Sequence, residues 1–233
     1  MCFGETWSKV SFITTLLSGT IGLYYHIDIR IILFAYFLAI MEFIQYLLYK
    51  YLDTCNDTNK WLSVAAWIHI SWQPFFVNLL SSAFAPNKQK EYNIILLLCS
   101  VFAIANMIRI RELSIIYKEK DKCDNKGDTT VLCQTKTCSF EGQYHVAYGF
   151  NLNSADTNSY TPSMFMHIFL IFIPAILLGP RSIALVHAII AILSGLFITK
   201  AGEVAAVWCV NAMVLMIFTL YAILFCNKDC ALW

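Results

Sequence analysis

Seven stretches of this chain are long and apolar enough to cross a hydrocarbon core about 30 Å thick, which takes about 20 residues at 1.5 Å of rise each. They lie near Trp7–His26, Ile29–Tyr51, Trp61–Ala85, Tyr92–Ile110, Ser163–Leu178, Ser182–Thr199 and Glu203–Phe225. In lipid every backbone N–H and C=O must find its partner inside the protein, so such stretches are driven into helices. The expected fold is an all-α polytopic membrane helix bundle of seven transmembrane helices, built as a single integral membrane domain over residues 1–233. Gly179-Pro180-Arg181 reads as a tight turn between the fifth and sixth spans, with one re-entrant hairpin as the alternative. Composition agrees with a membrane location. Of the residues 59% are hydrophobic and 13% charged, where soluble domains carry roughly a quarter charged, and mean hydropathy is +0.63. A net charge of +1 and a pI near 7.5 offer no basic surface to nucleic acid, and the bilayer is the expected partner. The start MCFGETWSK lacks the basic region and cleavage site of a signal peptide, so the first span is expected to stay as a signal anchor.

One extramembrane segment has size, Arg111–Pro162, between spans four and five. It begins with the mixed charges of KEKDKCDNKGD, a solvated turn, and continues through TTVLCQTKTCSF and YHVAYGF. Tyr144, Val146, Tyr148 and Phe150 alternate after Glu141-Gly142-Gln143, which predicts a β-hairpin lid.

Seven spans put the N-terminus, the loop at 52–60, the 111–162 segment and the Lys200-Ala-Gly202 turn on one side. Lysine and arginine do not decide which side, because the long loop is discounted by the positive-inside rule. Cysteines do better: Cys55, Cys123, Cys133 and Cys138 all fall there, an even set for up to two disulfides bracing the lid. Asn56-Asp57-Thr58, a glycosylation pattern, shares that side. The expected arrangement is therefore a multi-pass glycoprotein with its N-terminus and loop extracellular or lumenal and its C-terminus cytoplasmic. In the opposite orientation Cys123, Cys133, Cys138 and His145 form a Cys3His zinc set, but their spacing matches no tight knuckle, and no metal or cofactor is expected. Cys226 and Cys230, beyond the last span, would be open to palmitoylation.

Polar groups inside the apolar stretches mark a site. Glu42 and Gln45 are three residues apart in the second span, and His69 and Gln73 four apart in the third, so each pair shares a helix face. Counting rise from each span's middle puts Glu42, Gln45 and His69 in the half nearest the loop at residue 52. Asn106, His167 and Glu203 lie in the same half, which predicts a polar cavity opening to the N-terminal side. Any one of the amides Gln45, Gln73, Asn78, Asn106 and Asn211 is more simply interhelical glue worth about 0.6 kcal/mol. Glu42 differs, because a carboxyl at membrane depth is costly unless protonated, paired or wet. Glu42 with His69 as its partner is the expected centre.

Some chemistries are excluded. The last span contains no lysine for a retinal Schiff base, and no GxSxG or HExxH pattern is present. An N-terminal Cys2 thiol beside its own amine is the remaining enzymatic possibility.

Met1-Cys2, IMEFIQYLLY, Gln73-Pro74 and Val207-Trp208-Cys209-Val210-Asn211 together resemble an uncharacterised family of small seven-span membrane proteins of large DNA viruses and some microbes. In that family glutamine precedes glutamate, whereas here Glu42 precedes Gln45. The resemblance implies a seven-helix fold, a viral or microbial source and no known activity. The leading reading is a non-enzymatic receptor-like binder or transporter of a small polar solute or proton. A membrane-embedded enzyme acting on lipid or acyl substrates, and an assembly component without a ligand, are the alternatives.

Overall fold

The computed structural model describes residues 4–52, 54, 56–116, 139–141, 146–148, 164–179, 181, 185, 188, 189 and 193. Most of them lie in five helices, α1 (Glu5–Tyr24), α2 (Ile29–Tyr49), α3 (Asp57–Ala83), α4 (Gln89–Ile116) and α5 (Met164–Leu178). A 3-10 turn at Pro86–Lys88 leads into α4, and two short strands, β1 (Ser139–Glu141) and β2 (Val146–Tyr148), pair antiparallel with Ser139 opposite Tyr148. Two helical segments among the described residues, Ile29–Tyr49 and Pro86–Met107, are long and apolar enough to cross a membrane, and Met166–Leu178 is a shorter apolar helix. Most of the expected sixth span and all of the seventh lie outside the described residues, as do Cys2, Cys55, Cys123, Cys133, Cys138, His145, Glu203, Asn211, Cys226 and Cys230.

Helix ends follow capping rather than hydropathy. α2 starts where Asp28 accepts a hydrogen bond from the Arg30 backbone N–H at 2.9 Å. The Arg30 side chain returns to Asp28 at 2.6 Å, and its Nη1 donates to the Ser82 carbonyl at 2.9 Å and to Gln89 Oε1 at 3.0 Å. That one guanidinium ties the start of α2 to the end of α3 and the start of α4. Its hydrogen bonds hold the Asp28 carboxyl below its ordinary range. α3 begins at Asp57, before the apolar run at Trp61, because exposed Asn56 caps it, with Oδ1 accepting from Asn59 N at 2.9 Å. α4 continues past Ile110 through Arg111 and Glu112, since polar residues end an apolar run without ending a hydrogen-bond ladder.

α1 is inverted relative to a water-soluble helix. Its buried residues are Ser8, Ser11, Thr15, Gly19 and Gly22, three and four apart, so they form one stripe. Trp7, Val10, Ile13, Leu17 and Ile21 are exposed. Water would punish this distribution. In lipid it is favourable, because small residues let helices approach closely while apolar ones meet acyl chains. The stripe faces α2: a Cβ added at Gly19 would come within 3.0 Å of the Tyr36 ring, and one at Gly22 within 3.3 Å of Ile32. Gly19→Leu is therefore expected to push α1 off α2 and destabilise the protein by about 1–3 kcal/mol. A melting temperature in lipid nanodiscs equal to wild type would refute that close approach.

α2 and α3 form the centre. Near their loop-52 ends Met41, Ile44 and Leu48 pack on Ala66, Trp67 and Ile70, with Val146 and Tyr148 of β2 completing the cluster. Toward the other end Ile31, Phe34, Ala35 and Leu38 meet Val77 and Ile171 of α5. The hairpin thus rests on the α2–α3 pair at the level of the candidate site.

Candidate functional site

Spacing along α2 puts Glu42 and Gln45 on one face with Met41, Leu38 and Leu48, and packing on α3 buries that face. The Glu42 side chain is 1% exposed and Gln45 is fully buried. Neither carboxyl oxygen of Glu42 has a hydrogen-bond partner among the described residues. Gln45 Nε2 donates to the Tyr148 hydroxyl at 3.3 Å, and Gln45 Oε1 has no partner among them.

His69 lies on the facing helix. Its Nε2 is 2.8 Å from the Phe37 carbonyl oxygen, and its ring stacks on the Phe37 ring at 3.7 Å. A carbonyl only accepts, so Nε2 carries the hydrogen and Nδ1 of the neutral ring is left as a lone-pair acceptor. That Nδ1 is also without a partner among the described residues. The expected hydrogen bond between Glu42 and His69 is not made. Phe37 lies between the rings of His69 and Phe76, 3.7 and 4.0 Å from them, and this aromatic stack fixes His69 on the turn preceding Glu42.

Gln73 and His167 come together instead, with His167 Nε2 3.3 Å from Gln73 Oε1 and Phe102 beside the imidazole at 5.7 Å. This joins α3 to α5. Asn106 is buried on α4, where its backbone oxygen accepts from Trp67 Nε1 at 3.2 Å. Asn78, a residue of the glue class, bridges helices: Nδ2 donates to the Pro74 and Leu170 carbonyls, both at 2.7 Å. Glu203 lies outside the described residues.

A second buried polar cluster holds the hairpin. Asn59 is fully buried, donates from Nδ2 to the Tyr51 carbonyl at 2.8 Å and the Ser139 carbonyl at 2.9 Å, and accepts the Ser139 N–H on Oδ1 at 2.8 Å. The hydroxyls of Ser63 and Ser139 meet at 2.6 Å. Sequence reasoning missed Asn59 and Ser63, since one asparagine in the first turn of a helix reads as an ordinary polar end. The available signal was that Asn59 and Ser63, four apart, share a face at the start of the apolar run.

Over residues 12–225 the sequence matches a family of unknown function, DUF5765. The chain belongs to that family. No curated protein and no solved structure matches it. DUF5765 brings neither an activity nor a span count. Its extent does take in every candidate residue from Glu42 to Glu203, together with the hairpin strands and the Asn59 clamp. Among the described residues no three His, Cys, Asp or Glu side chains converge as a metal site would need.

Proposed function

We propose that the protein is a multi-pass, seven-span membrane protein in which Glu42 is the centre of a site that binds, or carries across the bilayer, a small polar solute or proton. The observation that carries this reading is Glu42 itself: a carboxyl 1% exposed, with neither oxygen partnered among the described residues, in a helix long and apolar enough to span a bilayer. An ionisable group kept at such a depth at a cost of several kcal/mol, with no partner among the described residues to explain it, is a functional group by default. The inverted face of α1 supports the bilayer setting, because its lipid-suited outer surface would be unfavourable in water. The cysteines at 55, 123, 133 and 138 and the sequon at exposed Asn56 favour an N-terminus and 111–162 segment outside the cytoplasm.

Glu42→Gln tests it, since the amide keeps the shape of the carboxyl and removes its charge and proton. In liposomes under an imposed pH gradient the variant is expected to melt like wild type while Glu42-dependent flux falls at least about tenfold, the loss of one charge-assisted contact. A variant that matches wild type both in flux and in ligand-induced stabilisation would end the reading.

A further inference from the structure

We infer that the Glu42 site takes a small cation that donates hydrogen bonds, ammonium or the head of a protonated primary amine. The inference rests on the proposed function and names its ligand chemistry.

The unpartnered atoms at this level have one chemical sense. Glu42 contributes two oxygens and Gln45 one, and all three lack a partner among the described residues. Glu42 and Gln45 stand one helical turn apart on the same face, with Cβ atoms about 5–6 Å from each other, a span that one N–H-bearing group can bridge. One of the two N–H groups of the Gln45 amide is directed at Tyr148 Oη. Among the described residues three unpartnered oxygens stand against one remaining amide N–H, and such an excess of acceptors is the complement of a donor. His69 Nδ1, on the facing helix one turn away, adds a further acceptor of the same kind.

Charge narrows the choice. With Glu42 ionised, an anion is repelled by the carboxylate and a neutral donor leaves the buried charge uncompensated. A hard metal ion takes about six oxygen ligands, twice what these two side chains offer. A cation bearing N–H groups compensates the charge and satisfies each oxygen at hydrogen-bond distance. Surroundings set the size. Met41, Leu48, Ala66 and Ile70 are each at most 1% exposed, so the residues about the site pack closely and favour a compact head over a bulky one.

The test compares cations of equal charge on the full-length protein in nanodiscs, reading melting temperature against concentration. Ammonium and methylammonium are expected to raise it by about 5 °C near saturation, as a ligand bound only to the folded state does. Tetramethylammonium, which carries the charge and no N–H, and sodium are expected to leave it unchanged. Glu42→Gln should abolish the shift, and Gln45→Leu, which keeps the charge and removes one acceptor, should weaken amine affinity about tenfold. Stabilisation by tetramethylammonium or sodium as strong as by methylammonium, still lost in Glu42→Gln, would overturn the donor chemistry and leave the proposed function standing. So would proton flux that needs Glu42 in a protein no amine stabilises. Methylammonium stabilising Glu42→Gln as fully as wild type would overturn the inference and remove the site from Glu42 altogether.

Discussion

Asn59→Ala is expected to free the hairpin from the bundle and to destabilise the protein by about 3–5 kcal/mol, the range for breaking a buried polar network. The side chain is fully buried and holds one edge of β1, donating to the Ser139 carbonyl and accepting the Ser139 N–H. It also donates to the Tyr51 carbonyl, beyond the end of α2. Alanine leaves those three backbone groups without that partner, the two on Ser139 fully buried, and each unsatisfied buried group costs about 1–3 kcal/mol. Hydrogen exchange gives the local readout, since the Ser139 amide should lose its protection while amides in the middle of α2 keep theirs. Asn59→Asp, which retains the acceptor and loses the donor, should fall between alanine and wild type. A melting temperature unchanged in Asn59→Ala would mean that the hairpin is held by Val146 and Tyr148 packing alone.

The same cluster shows why the hairpin was legible and its anchor was not. Val146 and Tyr148 alternate in the sequence, and both are buried on one side of β2. Period two announces a strand wherever one face is covered. Asn59 has no such periodicity to announce it, and what makes it a clamp is the position of a strand far along the chain. Helix positions divide the same way. α2 and α5 follow the apolar runs closely because apolar residues and helical hydrogen bonds end together there, at the Asp28 cap and at Gly179. α3 and α4 overrun theirs because Asn56 caps early and Arg111 and Glu112 are good helix formers. The inverted stripe of α1 was written in the spacing of Ser8, Ser11, Thr15, Gly19 and Gly22, but hydropathy averaged over a span conceals which face is apolar.

Face could be counted from the sequence spacing, and Glu42, Gln45, His69, Gln73 and His167 are all buried. Pairing could not. Which residue of α3 meets which residue of α2 is set by side-chain volumes along the interface, and here Phe37 takes the place beside His69 that Glu42 was expected to hold. Gln73 is likewise engaged by His167, 94 residues later, through a contact no local pattern records.

Glu42→Leu gives the sharpest separation between a structural and a functional carboxyl, and it is expected to make the protein more stable and inactive at once. Were Glu42 part of a hydrogen-bonded pair that fixes helix packing, leucine would break the pair and lower the melting temperature. The structure shows no such pair: both oxygens are unpartnered among the described residues, and the side chain is surrounded by a face that otherwise carries Leu38, Met41 and Leu48. Replacing an uncompensated buried polar group by an apolar one of similar volume removes a desolvation penalty and adds packing, a gain of about 1–4 kcal/mol. With about 2–4 °C per kcal/mol for a chain of this size, the melting temperature should rise by several degrees. Function moves the other way, because leucine offers no acceptor, no charge and no proton, so flux and amine-dependent stabilisation both vanish. Stability given up at one residue and recovered when that residue is made inert is the mark of a site kept for its chemistry. A fall in melting temperature in Glu42→Leu, with Glu42→Gln active, would instead make Glu42 a packing residue whose partner lies outside the described residues.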